Sequence, residues 1–371
     1  MKKIYILGIL LIFVVFLYPL SLKAEQTIAK SEIFEARVVE IIQVQEKIRE
    51  NGVKFEQQNL KLVGLEGYWL NKELIYNGIS EIDVANVNSY KIGDKVLVDG
   101  QVNELGEENF YITDFVRSKY LYALFVIFII IVLLVGRAKG FKALIGLFLS
   151  FVVIIRFILP QILKGADPFL LSLAGGLIIL GIMIYLTEGF KLKSHIAILS
   201  VLISLSFTLL LSIIFTTLTK LSGLAQEEAA FLIGIDNVDI NFKGLLLAGF
   251  IIGSIGVLDD IIVGQIEAVE QIKLANPTLS AKKVFTMAYK VGNTHIGAII
   301  NTLFLAYAGA ALPLLLLFIL NQDSGITFSR LINTEIVSTE IVRALVGSIG
   351  VVLSMPIATW LAAIQLKPKN D

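Results

Sequence analysis

Two aspartates stand side by side in 253-GSIGVLDDIIVGQ-265, inside a run that is otherwise apolar. A charge in membrane hydrocarbon costs about 2.5–3.5 kcal/mol on insertion scales, so an ionisable group there is a functional candidate by default. A carboxyl removed from water and given polar neighbours can take up and release protons near neutral pH, the basis of an intramembrane proton relay. Asp259 and Asp260 are the candidates for that chemistry. Adjacent helical residues point ~100° apart, so the two cannot form an acid–base dyad by themselves. A relay needs one of them, Asp260 in the first instance, to be buried and titratable. The competing reading is that both cap the membrane portion of their helix at the interface.

The flanking residues bear on that choice. Gly249, Gly253 and Gly256 precede the pair, and the 249/253 spacing is of the small-xxx-small kind that lets a neighbouring helix approach closely. Beyond the pair, Ile266, Val269 and Ile272 recur at helical spacing with Glu267 and Glu270 opposite, so the helix is expected to run on as an amphipathic stretch. The next apolar segment, 292-GNTHIGAIINTLFLAYAGAALPLLLLF-318, carries Asn301 and Thr302, whose side chains can hydrogen-bond a carboxylate. His295 stands nearer the mouth, as an interfacial histidine or as a relay member. Gly309 and Pro313 then interrupt the segment and permit a kink or break.

These elements belong to a chain that is 56% hydrophobic, against about 45–50% for soluble domains. Its mean hydropathy is +0.81. The fold expected is a polytopic α-helical membrane protein of about eight helices, with a small extracytoplasmic β-rich, OB-like domain. Residues 4–24 are an anchor or a cleaved signal peptide behind Lys2 and Lys3. Residues 25–118 alternate polar and apolar positions, as in 34-FEARVVEII-42 and 94-DKVLVDGQV-102, with Gly, Asn and Asp at the turns. Residues 119–371 hold the bundle, with spans expected at 119–136, 143–160, 168–187, 195–219, 244–263, 294–320 and 341–364.

Charge placement sets the expected topology. Arg137, Lys139 and Lys142, then Lys191 and Lys193, then Lys273, Lys282, Lys283 and Lys290, then Lys367 and Lys369 all fall on one side of an eight-helix path. That side is the cytoplasm by the positive-inside rule, with both termini there if the first helix is uncleaved. The opposite loops carry Glu227, Glu228, Asp236, Asp239, Asp323, Glu335 and Glu340. The acids of 226–241 could serve a hard cation, but their spacing fits no known loop and solvated acids are the simpler reading. The apolar 228-EAAFLIGI-235 is expected to form a short helix. Arg156 and Glu188 sit at helix ends, where snorkelling suffices to explain them.

Several classes of function are excluded or unsupported. The chain has no cysteine and only two histidines, so disulfides, thiolate or histidine metal sites and cysteine nucleophiles are excluded or unexpected. Zero net charge gives no footprint for nucleic acid. No cofactor motif and no catalytic constellation is present; an aspartyl protease would need a second converging carboxylate, and Glu188 ends its helix.

The motifs 253-GSIGVLDD-260, 264-GQIEAVEQI-272, 276-NPTLSAKKVF-285, 301-NTLFLAYAGAALPLLLLF-318 and 341-IVRALVGSIGVVLSMPI-357 resemble those of the YibE/F-like family of bacterial membrane proteins. The order of an apolar helix, a small external domain and a helical bundle is similar too. That resemblance implies the bacterial cell (inner) membrane and little about activity. The aspartate helix also resembles the membrane unit of resistance-nodulation-division transporters and the SecD/SecF translocation factors, where aspartates matching Asp259 and Asp260 carry protons. The chain departs from them by two extra helices, a much smaller external domain and a single repeat unit. A homo-oligomer would supply a second unit. The resulting expectation is a proton-coupled transporter or translocation-type factor working with protons or a small ion amid membrane lipid. The alternative is a membrane scaffold, sensor or envelope accessory factor that transports nothing.

Overall fold

The computed structural model describes residues 31–48, 52, 54–79, 89–102, 108–225, 227–233, 240–320 and 327–366. The expected anchor at 1–24 lies outside the described residues, as do Asp236, Asp239, Asp323, Lys367 and Lys369. The chain divides at Leu134/Val135 into two compact units.

The first unit is β-rich. Strands β1 (Ser31–Ile48), β2 (Lys54–Gly64), β3 (Glu73–Asn77), β4 (Lys95–Val102) and β5 (Glu108–Phe115) form one sheet in the order β3-β2-β1-β4-β5. All four ladders are antiparallel. The long β1 belongs to two of them: Ala36 lies opposite both Gly64 and Val96. Register shifts near Val38 and Ile41 bend β1, as bulges do. The sheet curls until Cα atoms of β3 and β5 lie within 8 Å. The alternation read from the sequence sets the inside: Phe34, Ala36, Val38, Leu60, Leu62, Val96 and Val98 are fully buried. Trp69 closes this core, stacked 5.6 Å from Phe34 and edge-on to Phe110 at 5.0 Å.

The helices follow without a gap. They are α1 (Ser118–Leu163), α2 (Pro168–Glu188), α3 (Leu192–Leu218), α4 (Glu227–Ile233), α5 (Phe242–Ala275), α6 (Ala281–Ala310), α7 (Leu312–Leu320), α8 (Phe328–Ile332) and α9 (Glu335–Gln365). The short α4 takes up the apolar stretch expected to be helical. Among the described residues five helices, α1, α2, α3, α5 and α9, are long and apolar enough to cross a membrane. The difference from the expected eight has physical causes. The spans at 119–136 and 143–160 run together in α1, whose 46 residues reach about 69 Å at ~1.5 Å each, twice the ~30 Å of hydrocarbon. Arg137 breaks it with φ 47° and ψ −128°, between the two apolar runs. The segment at 294–320 is divided at Ala311 between α6 and α7, and its polar residues keep α6 outside the five. The first helix lies outside the described residues.

Near its end α1 widens into a π-turn at Ile154–Ile158. Pro160 follows, and its missing N–H cannot complete the regular ladder there. Arg156 lies in that turn, exposed.

The bundle is organised around α5. Ile251, Ile255, Leu258, Ile262, Ile266 and Val269 form its buried face. They share one core with Leu180 and Ile184 of α2, Val201 and Leu205 of α3, Val284 and Ala288 of α6, and Met355 and Ala358 of α9. Helix α3 adds a buried hydroxyl at every fourth residue: Ser200, Ser204, Thr208, Ser212 and Thr216. The first four donate to the carbonyl four residues back, at 2.7–2.9 Å. Hydroxyls satisfied in this way can be buried while staying small enough for close helix packing. Gly350 of α9 meets that stripe: a Cβ there would lie 2.1 Å from Thr208 Oγ1.

Candidate functional site

Helix α5 starts cleanly, with Asn241 Oδ1 accepting from Gly244 N at 2.9 Å. Its register carries Asp259 and Asp260 to different surroundings. Asp259 is half-buried, and its Oδ1 is fully buried with no hydrogen-bond partner among the described residues. Asp260 is exposed. The expectation that Asp260 is the buried member is therefore corrected: one residue of helix advance turns it ~100° away from the core. Asp259 lies within electrostatic range of both Asp260 and Glu188.

Glu188 ends α2 and belongs to an ion cluster. Lys193, at the start of α3, reaches Glu188 at 3.2 Å, Glu267 at 2.8 Å and Glu270 at 2.9 Å. Lys139 adds a longer contact to Glu188 at 3.5 Å. The amphipathic continuation of α5 explains the geometry, since Glu267 and Glu270 sit one turn apart on one face. Lys273, further along, donates to the carbonyls of Ala363 (2.7 Å) and Leu366, holding the end of α9. Carboxylates outnumber cations here. Among the described residues Glu188, Glu267 and Glu270 share two lysines, Lys193 and Lys139, Gln271 donates to Glu267 at 2.8 Å, and Asp259 contacts neither lysine.

The other residues singled out from the sequence fall elsewhere. His295, Asn301 and Thr302 are all exposed on α6. The Thr302 hydroxyl donates to Ala298 O of its own helix at 2.9 Å. Among the described residues none of the three hydrogen-bonds to Asp259 or Asp260. The cause is the other face of α6: Ile296, Ile299 and Leu303 take the side packed against the core. Gly249, Gly253 and Gly256 are exposed, and a Cβ on any of them would meet nothing within 4 Å. Among the described residues no helix fills the packing role expected for them. With Asp260 and Gly264 they line up at spacings of three and four, so the five share one open face of α5. Gly309 is open in the same sense, and the helix interruption beside it and Pro313 falls at Ala311.

At the opposite end of the bundle lies a feature the sequence analysis missed. A cavity of about 770 Å³ is bounded by Ala310, Ala311, Pro313 and Ile336, with Thr339, Glu340, Arg343 and Tyr307 at its polar side. A smaller one of about 30 Å³ lies beside it, against Ser212, Gly249, Gly253 and Ser254. Tyr307 and Arg343 line both. Arg343 pairs with Glu340 at 2.8 Å and lies 5.4 Å over the Phe250 ring. Among the described residues its Nε is buried without a partner, and so is Oγ1 of Thr339, a residue only 2% exposed. The available signal was a lone arginine inside an apolar segment, three residues after Glu340. Nearby, Glu335 Oε1 accepts from Ser222 N, Ser222 Oγ and Gly223 N, tying the start of α9 to the end of α3.

Among the described residues no group of three or more His, Asp or Glu is placed to hold a metal ion. A family model described as YibE/F-like protein matches residues 124–368. No curated protein and no solved structure matches the chain.

Proposed function

We propose, from the premise that this chain belongs to the YibE/F-like protein family, that it is a proton- or cation-coupled membrane transporter or translocation-type factor, with Asp259 as the coupling group and Asp260 as its neighbour on the access face. The observation that carries this reading is the buried Oδ1 of Asp259, without a hydrogen-bond partner among the described residues, inside a helix long and apolar enough to cross a membrane. An unpaired carboxylate oxygen costs free energy that a structural role would not require. A proton, or a small cation shared with Glu188, would satisfy it. The surplus of carboxylates over lysines around Glu188 favours a positive ligand.

In this reading the lysine-rich end faces the cytoplasm of the bacterial cell membrane, and the β domain lies outside. The β3-β2-β1-β4-β5 order, with β3 close to β5, supports an OB-like, partly open five-stranded barrel. The resemblance of the aspartate helix to the resistance-nodulation-division and SecD/SecF membrane units supports the coupling role. A homo-oligomer would cover the open glycine face and the exposed polar residues of α6.

The test is carbodiimide labelling in native membranes across a pH series, located by mass spectrometry. This reagent modifies protonated carboxyls in apolar surroundings. Selective labelling of Asp259 near pH 7 is the expected result. Labelling no greater than that of loop acids would remove the coupling role and leave the scaffold or accessory reading in its place.

A further inference from the structure

The larger cavity, a vestibule, and the smaller one share Tyr307 and Arg343, and Gly249 and Gly253 of the open α5 face line the smaller one, so the three follow in series. We infer that this series is the access path by which water, and with it a proton or a small cation, reaches the α5 carboxylates from the end opposite the lysine-rich loops. The inference rests on the coupling role proposed for those carboxylates and adds a direction to it.

The outer part is the 770 Å³ vestibule. Its lining includes Thr339 and Arg343, whose Oγ1 and Nε have no hydrogen-bond partner among the described residues. The inner cavity measures about 30 Å³, more than the roughly 10–15 Å³ that one water needs. Ser212, Ser254 and Tyr307 give it the two to four polar partners that hold a water in place. Between the two stand Tyr307 and Arg343, which line both and so form the septum. Glu340 neutralises Arg343 at 2.8 Å, leaving the septum without net charge to oppose a passing proton. Below the inner cavity, the open glycine face continues. From Gly253 through Gly256 to Asp260 is seven residues, about 10 Å along the helix. The glycines are what keep this track open, since any larger side chain at 249, 253 or 256 would project into it.

The chain has no cysteine of its own, so single cysteines report without background. Ala310→Cys, exposed on the wall of the vestibule, marks the vestibule, Ser254→Cys the inner cavity and Gly256→Cys the track, each in the full-length protein in membrane vesicles. A charged, membrane-impermeant methanethiosulfonate is added to one side at a time. From the vestibule side it should modify Ala310→Cys readily and the two deeper cysteines slowly. Adding Tyr307→Ala should speed the deeper reactions several-fold. Ser212→Cys, on the facing helix α3, replaces Ser254→Cys if the latter fails to reach the membrane. The path is overturned if the deeper cysteines react no faster after Tyr307→Ala, if they react only from the lysine-rich side, or if only an apolar maleimide reaches them. Labelling does not depend on transport. Unreactive deep cysteines beside a carbodiimide-reactive Asp259 would remove the path and keep the coupling role, and the reverse pattern would separate the two the other way.

Discussion

Asp259 and Asp260 differ only in helix phase, yet that phase gives them separate parts. Asp259 turns an unpartnered oxygen into the bundle, near Glu188. Asp260 stands on the open glycine face. Under the proposed coupling role, Asp259→Asn should abolish proton-coupled flux in proteoliposomes carrying a pH-sensitive dye. Asp260→Asn should slow flux while leaving it coupled. Equal loss in both variants would mean that the pair acts as one site. A second carboxylate gives a pH dependence outside the membrane. The Asp114 carboxyl is held below the usual carboxylate range, first by the Arg117 guanidinium that donates to it at 2.7 Å and then by the Phe115 backbone N–H that donates to its Oδ1. A carboxyl depressed in the folded state adds stability above its unfolded value and loses it as pH falls through the folded one. Both groups are exposed, so the stabilisation is small, but the titration is readable. Arg117→Ala should raise the Asp114 midpoint in a carboxyl NMR titration of the detergent-solubilised protein.

At the scale of elements, the α3–α9 contact holds the bundle's polar interior together. Hydroxyls at every fourth residue of α3 are turned back on their own carbonyls, so α9 can approach closely at Gly350. A methyl group at 350 would enter the space of Thr208 Oγ1, 2.1 Å away. Gly350→Ala should lower stability by about 1–3 kcal/mol, the usual range for overpacking. Thr208→Ala removes the atom in the way, so the double variant should be less destabilised than the sum of the single changes. Thermal unfolding in detergent checks both, and strict additivity would show that the two helices do not interlock there. The hydroxyl periodicity on α3 was readable in the sequence as an i, i+4 row of Ser and Thr. Which helix it faces was not, because five apolar helices offer many pairings of similar hydropathy. The same limit applied to α6. Asn301 and Thr302 looked like partners for the aspartates because they lie in the next segment, but Ile296, Ile299 and Leu303 claimed the packed side.

For the whole molecule, the lysine clusters give a testable orientation. Lys193, Glu188, Glu267 and Lys273 gather at one end of the bundle, while Ser222 and Glu335 meet at the other. Lys164 and Lys191 are both exposed, on loops joined to opposite ends of α2. In intact cells with a permeabilised outer envelope, an impermeant thiol reagent should modify Lys164→Cys and spare Lys191→Cys until the cells are lysed. The opposite pattern would invert the topology and, with it, the direction of the access path.

Composition and the spacing of apolar runs were enough to establish a membrane protein with a β-rich domain ahead of a helical bundle. Period-two and period-3.6 patterns are local properties of a chain that must satisfy its own backbone in lipid or fold a half-buried sheet. The motifs were enough for the family. Other features needed the tertiary structure: which aspartate turns inward, the ion cluster that surrounds Glu188, and the Tyr307–Arg343 septum between two cavities. Each depends on the rotation of one helix against another. That rotation is set by the sum of many small packing contacts across the bundle, and no window of adjacent residues records it.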